Sequence, residues 1–256
     1  MESAARPLLA TMPLHAITAT YGEDGLRERF SWEIATFPES DRRTLERALA
    51  LASRLHATDR RQREPYVNHL LRVATRIICY YNIRDPDVIC AALLHDAVED
   101  HPDALAAEQP AEPAPRPATR VEAQDDARGE QQAALAVLAR EFGFWVAELV
   151  AAVTNPPLQP GQDAHQQYRE HVAASLAASP WARIIKVSDF TDNGVGLIHT
   201  TGPKLGKLAS KYAPLIPVLR DLIARPDTPL DDQAKQHILG QLDLAAQRLS
   251  AIQSSR

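Results

Sequence analysis

The stretch Ala91-Ala-Leu-Leu-His95-Asp96-Ala-Val-Glu99-Asp100 sets two titratable pairs, His95/Asp96 and Glu99/Asp100, into the end of an apolar run. Ala91, Ala92, Leu93, Leu94, Ala97 and Val98 give it the look of a buried helix. Unpaired buried charge costs several kcal/mol, so four adjacent polar groups need compensation, and a metal ion supplies it economically. Residues four apart share a helix face, which sets Glu99 one turn beyond His95 and Asp100 one turn beyond Asp96. In that arrangement the first pair holds a metal and the second reaches past it toward a substrate. The plainer alternative is a helix end with solvated acids.

The elements around this stretch read as helices. Hydrophobic residues make up 45% of the 256 and aromatics only 5%, so the core must be built from Leu, Ala, Val and Ile, which suits helical packing. Apolar residues recur at helical spacing in 41–56, 67–81, 131–153, 163–178, 204–224 and 231–252, and Pro86 opens the helix of the His-Asp stretch. Residues 1–38 read as an N-terminal extension with short ordered pieces at 18–21 and 30–34. From His101 to Glu130 the composition turns to proline, alanine and acids without an aromatic, which predicts a disordered loop inserted into one domain.

A net charge of −5 argues against nucleic acid as a partner while allowing a local basic pocket for a phosphorylated small molecule. Cys79 and Cys90 lie in apolar, helix-like surroundings and read as reduced thiols. No run of 18 apolar residues and no signal-like start is seen, so the expectation is a cytoplasmic protein without a membrane partner.

Several linked motifs carry a resemblance. His69, then His95-Asp96, then a distant Asp189 follows the ligand order of the HD metal-dependent phosphohydrolases. Pro65-Tyr66-Val67-Asn68-His69 resembles the PYxxH motif of the Rel/Spo alarmone hydrolases, and residues 91–100 resemble their AALLHDxVED. Arg140 to Thr154 is similar to their FGxxVAxLVxxVT helix, Lys186-Val-Ser-Asp189 with Asn193 to KLAD…N, and Tyr212-Ala-Pro-Leu215 to the closing YAPL. The likeness spans roughly Arg42 to Leu222, as in stand-alone small alarmone hydrolases. It implies an all-α HD-domain bundle of about eight to eleven helices over residues 39–225, with a flexible insert at about 102–130 and a C-terminal helix in 226–256 packing on it.

The resemblance implies His69, His95, Asp96 and Asp189 as metal ligands. Two imidazoles and two carboxylates suit Mn²⁺, with Fe, Co or Zn as alternatives. It implies Glu99 and Asp100 as the pair that positions the attacking water and handles its proton. Arg60, Arg61 and Lys186 are the candidate phosphate-binding cations, with Asn193 and Tyr212 on the nucleoside side. The implied reaction is hydrolysis of the 3′-diphosphate of guanosine tetra- or pentaphosphate to GDP or GTP and pyrophosphate. The alternatives are hydrolysis of another nucleotide such as NADPH, or a non-catalytic nucleotide-binding or antitoxin protein. A toxin partner and a homo-oligomer both stay open. The sequence departs from the family at Phe190, where a basic residue is usual, in a shortened 61–65 segment, and at His101, which replaces a threonine. These departures bear on substrate choice more than on metal binding.

Overall fold

Every residue from Val67 to Ile78 is buried, polar ones included, so this helix must lie at the centre of the molecule, packed on several sides at once. The computed structural model describes residues 8–61, 64–107, 120–157, 161, 163–195 and 203–254, apart from a few side chains near the helix ends at 120–126, 195 and 203–204. In chain order the helices are α1 (Leu14–Ile34), α2 (Glu39–Leu55), α3 (Val67–Cys79), α4 (Pro86–Leu94), α5 (Ala97–Asp100), α6 (Pro102–Ala106) and α7 (Arg120–Phe142). They continue with α8 (Phe144–Val153), α9 (Ala164–Ala178), α10 (Pro180–Val195), α11 (Pro203–Tyr212), α12 (Leu215–Ala224) and α13 (Asp232–Ser254). Of these thirteen, α5 and α6 are single turns, which leaves eleven longer helices. The expected all-α architecture holds among the described residues, whose one extended feature is an isolated bridge between Arg60 and Pro65.

The central helix α3 packs against α1, α4 and α10, while α2 covers α4 and α8 closes the same layer. On the far side α13 lies across α10, α11 and α12. One continuous cluster of Leu, Ile, Val and Ala side chains runs through all these contacts. No described helix is long and apolar enough to cross a membrane.

Several boundaries differ from those expected of the sequence, each for a local reason. Leu14–Ile34 forms one long helix kinked at Gly22 (φ 64°), and it buries Ile17, Leu26, Phe30 and Ile34 in the core. The helix expected over 131–153 is two, because Gly143 sits at φ 99°, a left-handed value that glycine tolerates without a Cβ clash. Within the stretch expected to be a disordered insert, α6 and the start of α7 are helical, and Leu105 is fully buried; residues 108–119 lie outside the described ones.

The helix that places the His-Asp pair is α4. Asp85 caps it, its carboxylate accepting from the amides of Asp87 (2.9 Å) and Val88 (3.3 Å), and Pro86 stands at its first position. The helix ends at Leu94, and His95 and Asp96 form a turn before α5. The pair therefore lies in a hitch between two helices rather than inside one, although the Asp100 amide still donates to the Asp96 carbonyl (2.8 Å).

Candidate functional site

Three elements converge at this hitch. His69 comes from the first turn of α3, His95 and Asp96 from the α4–α5 junction, and Asp189 from α10. His69 Nε2 stands 3.4 Å from Asp189 Oδ1 and 3.6 Å from Asp96 Oδ2. His95 Nε2 stands 3.0 Å from Asp96 Oδ2 and 3.8 Å from Asp189 Oδ1. Atoms bound about 2.1 Å from one ion stand roughly 3.0 Å apart at right angles and up to about 4.2 Å apart when opposite, so these separations are compatible with ligands of a single ion. His69, His95 and Asp189 together form a buried group able to hold one.

The ring nitrogens are sorted by what their opposite sides touch. His95 Nδ1 lies 2.9 Å from the Ala92 carbonyl, which only accepts, so Nδ1 carries the hydrogen. Nε2 then turns into the cluster, buried and facing the carboxylate oxygens of Asp96 and Asp189. Burial disfavours the imidazolium, yet the Asp96 and Asp189 carboxylates outweigh it and push His95 up to about 10. Between these carboxylates Nε2 takes either a proton or a cation. His69 Nδ1 lies 2.8 Å from Asp192 Oδ2, which likewise leaves its Nε2 for the cluster.

No sequence motif marks Asp192, although it lies one turn beyond Asp189. Its carboxylate accepts from Arg72 Nε (2.8 Å) and Nη2 (2.9 Å) and from Arg76 Nη2 (3.1 Å). Burial would raise its pKa, but Arg72 and His69 hold it well below the usual carboxylate range. Arg72 also donates to both oxygens of Glu64 (2.6 and 2.8 Å). The available signal was spacing: Arg72 and Arg76 come three and seven residues after His69, which is one face of α3.

The remaining ligands are held in the same way. Lys186 Nζ lies 3.0 Å from Asp189 Oδ2, and Asn193 donates to Asp189 Oδ1 at 2.5 Å. Burial opposes ionisation of Asp189, but Lys186 and the two histidines keep it well below the usual range. The Tyr66 hydroxyl donates to Asp96 Oδ2 (2.7 Å). Two imidazole nitrogens and two ionised carboxylates, each braced from behind, fit a divalent cation of borderline or hard character.

Glu99 and Asp100 lie at the exposed rim. Asn155, just past α8, fixes Glu99 through its side-chain amide (2.9 and 3.0 Å) and its backbone N–H (3.2 Å). Partial desolvation, then the nearby Asp96 and Glu99 carboxylates, push Asp100 up to about 6.

The expected cations are distributed unevenly. Arg61 reaches the cluster: Nη1 lies 3.4 Å from Asp192, Nη2 donates to Asn193, and the guanidinium covers the Tyr66 ring. Arg60 is exposed, and among the described residues no hydrogen bond or ion pair joins its side chain to the cluster. Tyr212 is buried edge-on to Phe190, with centroids 5.8 Å apart. Tyr168, which no motif singles out, lies under both Lys186 (5.7 Å) and Lys211 (4.5 Å). It lines a cleft of about 250 Å³ with Asn155, Gln167 and Lys211, next to Glu99.

The HD domain family matches residues 48–178, from within α2 to the end of α9, and the chain belongs to that family. The matched span holds His69, His95, Asp96, Glu99 and Asp100; the fold adds Asp189 and Asp192 from α10. Among solved structures, this chain is similar to a metazoan ortholog of SpoT, described as hydrolysing ppGpp and playing a role in starvation responses. The two are 24% identical with a TM-score of 0.55, over 83% of this chain and 97% of that one, a likeness that shows the shared fold. No curated protein matches.

Proposed function

We propose that this chain is a metal-dependent phosphohydrolase that removes the 3′-diphosphate of guanosine tetra- or pentaphosphate, giving GDP or GTP and pyrophosphate. The observation that carries the reading is the convergence of two imidazole Nε2 atoms and two carboxylates, with the Glu99/Asp100 pair beside them. The motif resemblance and the SpoT-like fold supply the substrate class.

In this reading His69, His95, Asp96 and Asp189 hold one divalent ion, Mn²⁺ by their mixed donor set. A bound ion of this kind acidifies water and polarises a phosphoryl oxygen. Glu99, immobilised by Asn155, keeps its carboxylate aimed and orients the attacking water. Asp100, at about 6, is mostly ionised at neutral pH and accepts that water's proton. Lys186 offsets charge around Asp189, and Arg61 presents its guanidinium at the entrance. Asn193 holds Asp189 and Arg61 in place and stands on the nucleoside side. Tyr212, Lys211 and Tyr168 form the nucleoside side, and Arg60 meets outer phosphates from the loop. The partner is a small-molecule nucleotide met in the cytoplasm.

Comparing kcat/KM for guanosine tetraphosphate and NADPH on one Mn²⁺-loaded preparation tests this. The alarmone should be the better substrate. A preference for NADPH would keep the hydrolase and replace the substrate. No cleavage of either, with metal demonstrably bound, would leave a nucleotide-binding protein.

A further inference from the structure

A second constellation of metal-binding side chains lies apart from the His69–His95–Asp96–Asp189 centre. His56 caps the C-terminus of α2, Asp59 is in the loop beyond it, and His101 comes immediately after α5. His56 Nδ1 is 2.8 Å from Asp59 Oδ2, His101 Nε2 is 2.6 Å from the same oxygen, and the two nitrogens are 3.2 Å apart. Three donor atoms thus face one point, at the spacing that ligands about 2.1 Å from one ion adopt near right angles.

The supporting geometry is already in place. The Asp59 amide donates to the His56 carbonyl (3.1 Å), and its own carbonyl accepts from the Tyr66 amide (3.1 Å), which fixes the turn. The His56 ring is buried and stacked on Tyr66, with centroids 4.6 Å apart and planes 11° apart. The His56 ring turns Nδ1 toward both Asp59 and His101. The Asp59 and His101 side chains are partly exposed, 29% and 21%, which gives an ion a path in and leaves coordination positions for water. Tyr66 is the wall between the two clusters: one face lies on His56, the ring meets His69 edge-on at 5.7 Å, and the hydroxyl holds Asp96.

We propose that His56, Asp59 and His101 form a second divalent transition-metal site, distinct from the first centre. Two imidazoles and one carboxylate select borderline ions such as Zn²⁺ or Co²⁺ over Mg²⁺ and Ca²⁺, which prefer all-oxygen shells. An ion there ties the loop bearing Arg60 and Arg61 to the segment beyond Asp100. The site stands whether or not the protein hydrolyses a nucleotide.

The test is a Co²⁺ titration of the full chain, read by d–d absorption and by metal retained per chain after gel filtration. Wild type should bind two equivalents; Asp59→Asn and His101→Ala should each bind one, with unchanged far-UV circular dichroism. Asp96→Asn, disabled at the first centre, should still bind one equivalent through the second. If Asp59→Asn and His101→Ala retain as much Co²⁺ as wild type, or Asp96→Asn retains none, the second site does not exist.

Discussion

Replacing Asp192 by Asn removes one charge from a group that no solvent reaches. Both oxygens of Asp192 only accept: Oδ1 from Arg72 Nε and Arg76 Nη2, Oδ2 from His69 Nδ1 and Arg72 Nη2. An amide NH₂ at either position sets donor against donor. Breaking one side of a buried ion pair costs about 3–5 kcal/mol. The low end applies, because Arg72 keeps both Glu64 contacts. At roughly 2–4 °C per kcal/mol for a chain of this size, about 3 kcal/mol lowers Tm by roughly 6–12 °C. The same substitution loosens the hydrogen bond that orients His69. Losing the partner behind a metal-binding histidine typically weakens the metal by roughly 10–100-fold. Isothermal titration with Mn²⁺ and a melting curve of the metal-free protein read the two effects separately. An Asp192→Asn protein that binds Mn²⁺ within about twofold of wild type and melts at the same temperature would refute the role given to Asp192.

The same geometry predicts three further outcomes. Asp96→Asn should lose the ion at the first centre, whereas Glu99→Gln and Asp100→Asn should keep it and lose roughly 10²-fold or more in kcat; full activity in both rim variants would reassign the proton-handling groups. Arg61→Ala should raise KM more than it lowers kcat, since a clamp on non-reacting phosphates contributes mostly uniform binding; a large fall in kcat at constant KM would contradict this. His95, raised to about 10 without a cation, carries a proton at pH 7 that the metal must displace. Metal affinity should therefore weaken as pH falls, and calorimetry in buffers of different ionisation enthalpy should show about one proton released, against none if His95 is not a ligand.

What the sequence discloses is what lies close along the chain or repeats with a helical period. The apolar spacing of 41–56 and 67–81 exposes α2 and α3, and the His95-Asp96 and Glu99-Asp100 pairs stand out against the alanines and leucines of α4. Even Asp189, far along the chain from His95, is reached through the motif around it. The hidden parts are contacts between side chains far apart in sequence. Asp192 meets Arg72 across 120 residues, Glu99 meets Asn155 across 56, and His101 meets His56 across 45. No local pattern encodes such pairings, because they depend on how α10 crosses α3 and where α8 ends. The helix breaks at His95-Asp96 and Gly143 were hidden for another reason: apolar periodicity continues through both.

Which bond is broken bears most directly on the proposed reaction. Phosphorus-31 NMR of guanosine tetraphosphate incubated with the Mn²⁺-loaded protein should show pyrophosphate and GDP appearing in equal amounts, and neither after chelation. Orthophosphate as the product, or unchanged substrate with the metal bound, would contradict it.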